Sequence, residues 1–182
     1  MSLWHLLLFA AVAVAGVAAV IDWRTGEIPN WLTFGGVIAG LLGNFVLGFR
    51  TGGLSDGGAA VGWSFAGVIA CGFVPVLLFR VGGIGGGDLK LLLAVGALLR
   101  PTIGIEAELY SFVAVALYAP ARLVYEGRLL RSLGNALSLL TDVVRPEEKR
   151  KKVDPELLST VRFGPCVFLG TVIAAIVNMR LF

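Results

Sequence analysis

The sequence predicts an all-α, polytopic membrane protein, and three observations carry the prediction. Hydrophobic residues make up 57% of the 182 positions, 15% are charged and the mean hydropathy is +0.88, against roughly 45–50% apolar content in soluble domains. Apolar runs recur to the last residue, which excludes a cleaved signal peptide ahead of a soluble remainder. The Lys and Arg residues are distributed unevenly between alternate connectors, the mark of a chain oriented across a bilayer. One membrane-embedded domain over 1–182 is expected.

About six transmembrane helices follow, each judged against the roughly 20 residues that cross a hydrocarbon core. The first is Leu3–Ile21, where His5 beside Trp4 reads as interfacial rather than as a metal ligand. Gly26, Pro29 and Asn30 supply a turn, and Trp31–Phe49 is the second span. Ala59–Phe79 is the third; Gly36 with Gly40, and Gly58 with Gly62, place small residues at the spacing that permits close helix approach. The fourth and fifth, Leu89–Ile105 and Leu109–Ala121, are interrupted by Arg100, Pro101, Glu106 and Glu108. Short helices, a re-entrant segment or local bilayer thinning each accommodate that.

A basic loop spans about 122–162, with weak helical periodicity and the charge run RPEEKRKK. It reads as a surface-lying amphipathic helix drawn to anionic lipid, or as a docking site for a partner. Phe163–Phe182 is the sixth span. Cys71 and Cys166 sit inside apolar runs with no Cys-x-x-Cys spacing, so they read as small buried hydrophobes rather than metal or disulfide partners.

Twelve Lys and Arg residues fall on one side of these spans and three on the other. The richer side is cytoplasmic, and both termini face the non-cytoplasmic side. The net charge of +3 and the pI near 9.1 are explained by this asymmetry, with no nucleic-acid partner required.

Orientation places Asp22 and Asp88 together at the cytoplasmic boundary. By itself Asp22, in IDWRTGEIPNWL, reads as an interfacial charge partnered by Arg24 or as part of a site. Asp88 follows a run holding Gly82, Gly83, Gly85, Gly86 and Gly87. There it reads as a helix N-cap or as a group that another backbone approaches closely. A phosphate loop is excluded, since Gly-x-x-x-x-Gly-Lys-Ser/Thr is absent and no strand precedes the run. Lys90 either snorkels to headgroups or orients the site through a neighbouring helix. Two facing carboxyl groups support amide hydrolysis, one activating water and the other polarising the carbonyl.

Gly85-x-Gly87-Asp88 resembles the Gly-x-Gly-Asp motif of intramembrane aspartyl proteases. The whole pattern resembles the type IV prepilin peptidases: Asp22 with a downstream Ile28-Pro29-Asn30, then Gly85-x-Gly87-Asp88-x-Lys90, then Phe163-Gly164-Pro165. The resemblance implies an aspartic endopeptidase with Asp22 and Asp88 catalytic. Gly85, Gly87, Lys90, Pro29 and Asn30 would shape the substrate cleft, with Gly164 and Pro165 a structural element of the last helix. It implies no metal or other cofactor. The implied substrate is a prepilin-like precursor with a short basic leader on an apolar helix, cleaved at the cytoplasmic face of the inner membrane, with pilus or secretion machinery as possible partners.

The chain enters its first span directly, without the cysteine-paired zinc domain of longer members. It therefore resembles the short, peptidase-only forms serving Flp/Tad pili or archaeal flagellin-like filaments, and no methyltransferase activity is expected. Asp88 at a helix start and Asp22 near a helix end make Asp88 the expected base and Asp22 the expected acid. Presenilin-like or signal-peptide-peptidase-like proteases share the Gly-x-Gly-Asp chemistry, but their first aspartate follows a tyrosine inside a span. A small proton- or cation-coupled transporter is the reading from another class.

Overall fold

The structure is a computed structural model that describes residues 3–125 and 162–179. These form four helices, α1 (Leu3–Thr25), α2 (Asn30–Arg80), α3 (Gly86–Tyr125) and α4 (Gly164–Asn178), with no strand among the described residues. The basic loop expected over about 122–162 lies, from residue 126 to residue 161, outside the described residues, as do the last three residues of the expected sixth span.

At 23 residues, α1 is about 34 Å long, enough to cross a hydrocarbon core. It runs past the expected boundary at Ile21 by one further turn and stops at Gly26, which takes the left-handed conformation (φ +79°) common just beyond helix ends. Pro29, extended at φ −69° and ψ 139°, then starts α2.

The 51 residues of α2 would extend about 76 Å as a straight rod, and two glycines break it. Gly53, at φ 74° and ψ −153°, occupies backbone space closed to side chains. The limbs 30–51 and 54–80 fold back on each other. A Cβ on Gly48 would lie 2.8 Å from the Ala60 Cβ, and one on Gly57 would lie 2.9 Å from the Phe45 ring.

Likewise α3 is broken at Arg100 (φ 61°, ψ 177°), immediately before Pro101, whose ring disfavours helical backbone in the preceding residue. The expected fourth span, Leu89–Ile105, is thus corrected. It ends at Leu99, and residues 101–105 belong to the returning limb, where Gly104 approaches Gly96.

The limb 86–99 is the centre of the bundle: Leu91, Leu92, Val95, Leu98 and Leu99 are fully enclosed. The carbonyl of Ala97 accepts hydrogen bonds from both limbs of α2, from Asn44 Nδ2 at 3.1 Å and Ser64 Oγ at 2.5 Å. Arg100 Nε donates to Asn44 Oδ1 at 2.6 Å, and its guanidinium lies 5.4 Å from the Trp4 ring centroid. These contacts hold a conformation that a non-glycine residue rarely adopts.

Of the small-residue pairs, Gly36 and Gly40 pack against Ala94 and the Ala97 backbone as expected, but Gly58 and Gly62 meet nothing within 4 Å. The close approach on that limb is instead made by Gly67, whose missing side chain admits the backbone of Gly96. Four-residue spacing permits close packing without selecting which face turns inward.

Polarity is distributed as expected for a protein solvated by lipid. Asn44, Ser64, Ser111 and Thr171 are wholly buried, while Leu42, Trp63, Phe73 and Leu109 point outward. Both α1, over Trp4–Thr25, and α2 are long and apolar enough to cross a membrane. Cys71 and Cys166 are buried and unpaired with each other.

The chain divides into two compact units, Met1–Ala114 with Arg162–Phe182, and Val115–Val161. In the second, the end of α3 carries a hydrogen bond of 3.2 Å from Arg122 Nη1 to the Tyr118 hydroxyl.

Candidate active site

Asp22 opens the last turn of α1, and it is 5% exposed although it is acidic. Its Oδ2 accepts the backbone N–H of Gly164 at 2.9 Å. A Cβ on Gly164 would fall 2.8 Å from that same oxygen, so only glycine brings the α4 backbone this close. Pro165 stands in the first turn of α4, where its missing N–H costs nothing. Phe163 is buried and packs on Phe112 with ring centroids 5.7 Å apart, which anchors the segment. The Gly-Pro element expected to be structural therefore holds Asp22 directly.

The other oxygen, Oδ1, faces Arg162 Nη1 at 3.9 Å. Arg24, the partner considered from the sequence, is exposed; two residues on, it lies about 200° around α1 from Asp22.

Asp88 is in the first turn of α3, ahead of the apolar run that begins at Leu89. It is the third helical residue rather than the N-cap, a position occupied by Gly85. Its Oδ2 accepts the Gly85 N–H at 3.2 Å, reaching back over the helix start as the acidic member of a capping box does. Burial, and then the facing Asp22 carboxylate, push the Asp88 carboxyl up from 3.8 to about 6, against the smaller lowering by the Gly85 N–H.

Of the five glycines before Asp88, only Gly82 adopts positive φ, at 76°. Gly87 serves proximity instead: a Cβ there would lie 3.1 Å from the Ile28 Cβ and 3.4 Å from the Ile28 nitrogen. This lets the start of α3 rest against the connector between α1 and α2.

Asp22 and Asp88 line one open cavity of about 660 Å³, together with Thr25, Glu27, Pro29, Asn30 and Gly85–Gly87. Lys90 stands at its side: Nζ donates to Asn30 Oδ1 at 2.8 Å and lies 5.7 Å from the Phe34 ring centroid. It thereby ties the second turn of α3 to the first turn of α2. All nine residues singled out from the sequence thus fall in or beside one site.

Gly26 ends α1 as the turn expected there, whereas no feature of the sequence singled out Arg162. Arg162 counted there only as one of many cytoplasmic charges, and no local pattern marks a residue whose partner lies 140 positions away.

Residues 7–120 match the model of the type IV leader peptidase family, a stretch that includes Asp22 and Asp88. Over 83 residues the chain is 36% identical to a preflagellin peptidase of Methanococcus voltae, covering 46% of this chain and 34% of that protein. It is 35% identical over 83 residues to a preflagellin peptidase of Methanocaldococcus jannaschii, covering 46% and 33%. The match thus spans about a third of the length of these relatives. No solved structure matches. With a family model covering more than half of its length and the family's motif residues gathered around one cavity, this chain belongs to the type IV leader peptidase family.

Proposed function

We propose that the protein is a multi-pass leader peptidase of the cytoplasmic membrane. It hydrolyses the bond between the basic leader and the apolar helix of prepilin- or preflagellin-like precursors, with Asp22 and Asp88 as its catalytic dyad at the cytoplasmic face. The observation that carries this reading is the pair of carboxyl groups on different helices lining one cavity, with unlike surroundings. The charge asymmetry of the connectors supports the cytoplasmic face, and the family membership and the names of the two relatives support the substrate class.

The surroundings favour the reverse of the roles expected from helix ends. Asp22 stands in the last turn of α1, but its Oδ2 takes the Gly164 N–H and its Oδ1 faces the Arg162 guanidinium, two donors that outweigh the helix end. Asp88, pushed up to about 6, keeps its proton closer to neutrality. Asp22 is then the base and Asp88 the acid.

In the forward step Asp22 takes a proton from water as the oxygen bonds to the scissile carbon, and Asp88 gives its proton to the carbonyl oxygen. In the collapse, the protonated Asp22 delivers its proton to the leaving nitrogen as the C–N bond breaks. Asp88 recovers a proton from the diol, so the dyad is restored. No cofactor is needed for this exchange, and water is the nucleophile.

Helical amides are shielded, so the scissile segment must bind extended. The non-helical residues 81–85 and 26–29 flank the cavity, leaving irregular backbone against which such a strand can lie. Purified protein in liposomes should cleave a type IV prepilin or a preflagellin at the leader junction. Asp22→Asn and Asp88→Asn should each lower the rate by at least about 100-fold, the low end for losing a general acid or base. Cleavage by either variant at the parent rate would refute the dyad.

A further inference from the structure

We propose that Arg162 is a positioning residue of the dyad, laying its guanidinium across Gly26 to hold Asp22 as the charged partner. The inference rests on the dyad reading above and adds what makes the two aspartates unequal.

The segment entering α4 engages both oxygens of Asp22. Gly164 N–H donates to Oδ2 at 2.9 Å, and Arg162 Nη1 faces Oδ1 at 3.9 Å. The longer distance matters chemically: the guanidinium is near enough to stabilise charge yet leaves Oδ1 open to accept a proton from water.

The path of the side chain is built into the fold. A Cβ on Gly26 would coincide with the Arg162 guanidinium, and Gly26 sits at φ +79°, so the residue that ends α1 is also the gap through which Arg162 reaches Asp22. The Arg162 side chain is 33% exposed while that of Asp22 is 8% exposed, so the arginine reaches a buried carboxyl group from a partly exposed position.

The charged and titratable groups around Asp22 make the asymmetry specific. Asp88 faces it from α3 and Cys166 from α4. Glu27 lines the same cavity, and Lys90 is engaged on Asn30. Among the described residues, Arg162 is the cation within ion-pair distance of Asp22. Two carboxylates in one cavity cannot both ionise cheaply, and a single cation placed on one of them decides which keeps the proton.

The test is the pH–rate profile of prepilin or preflagellin cleavage by the full chain in liposomes, comparing Arg162→Leu, Arg162→Gln and Arg162→Lys with the parent. Arg162→Leu and Arg162→Gln should move the acidic limb up by about 0.5–1 pH unit, less than for a buried pair because the arginine is partly exposed. Cleavage on that limb should fall about 3–10-fold, recovering at higher pH with KM unchanged, and Arg162→Lys should restore the parent limb. An unmoved limb, an equal loss at every pH, or a rise in KM alone would each overturn the proposal, the last two pointing to a structural or a substrate-binding arginine.

Should the parent cleave neither precursor, the dyad reading fails on its own. The arginine is then read by carbon-13 NMR of Asp22 in an Asp88→Asn background. Removing Arg162 should displace the Asp22 carboxyl resonance, and an unchanged resonance overturns the positioning role.

Discussion

The backbone N–H of Gly164 donates to Asp22 Oδ2 at 2.9 Å, joining two residues 142 positions apart. The last described helix therefore begins on the carboxyl group that the first helix carries, and the candidate site draws on both of these helices.

Gly164→Ala should damage catalysis far more than its size suggests. Its methyl would fall 2.8 Å from Asp22 Oδ2 and 2.9 Å from the Asp22 Cβ, so the carboxyl must move. A displacement approaching 1 Å costs about 100-fold in rate, and a loss of this order is expected with little change in KM. Parent-like kcat in the alanine variant would show that the N–H contact does not set the carboxyl's position.

Cleavage should decline as pH rises above about 6. An acid must carry its proton to act, and the Asp88 carboxyl, raised from 3.8 to about 6 by burial and by Asp22, holds it up to that pH and loses it above. The basic limb of kcat/KM should fall there, as a macroscopic property of the pair. A limb near 4 would mean that Asp88 is not raised, and the acid would have to be sought elsewhere.

Gly87 offers a graded test of the contact between α3 and the connector. Alanine leaves 3.1 Å to the Ile28 Cβ, tight but within reach of small adjustments, and should cost only a few-fold in rate by the modest displacement it forces. Valine adds two methyl groups against the same backbone and should abolish cleavage while the protein still unfolds cooperatively in detergent. Normal turnover by Gly87→Val would refute a role for this glycine in the cleft.

Lys90→Met removes the 2.8 Å bond to Asn30 Oδ1 and keeps the apolar stem. A partly exposed tie of this kind contributes at most about 1 kcal/mol, so a small drop in thermal stability is expected. Asn30→Ala should match it, and the double variant should lose little more than either single one. Additive losses would mean that Lys90 and Asn30 act separately and that the lysine serves the headgroups.

The helical class, the apolar segments, the two acidic positions and the Gly-Pro element were legible from composition, apolar run length and short motifs. These are local properties that each stretch expresses without its partners. Arg100 and Pro101 were legible as interruptions, but the span was expected to run on to Ile105. Pro101 disfavours helix at Arg100 locally, but Asn44 and Trp4, which engage the arginine in the fold-back, are distant in sequence.

The unlike surroundings of the two aspartates, and the place of Arg162 beside Asp22, were decided only by the tertiary structure. A carboxyl group's preference for charge follows from what surrounds it within a few ångströms, and for Asp22 that is a backbone N–H and a guanidinium contributed from beyond residue 161. Sequence determines which groups are present and on which helices. Packing alone brings a cation to one aspartate and leaves the other to burial, because electrostatic environment is a property of space rather than of the order of residues.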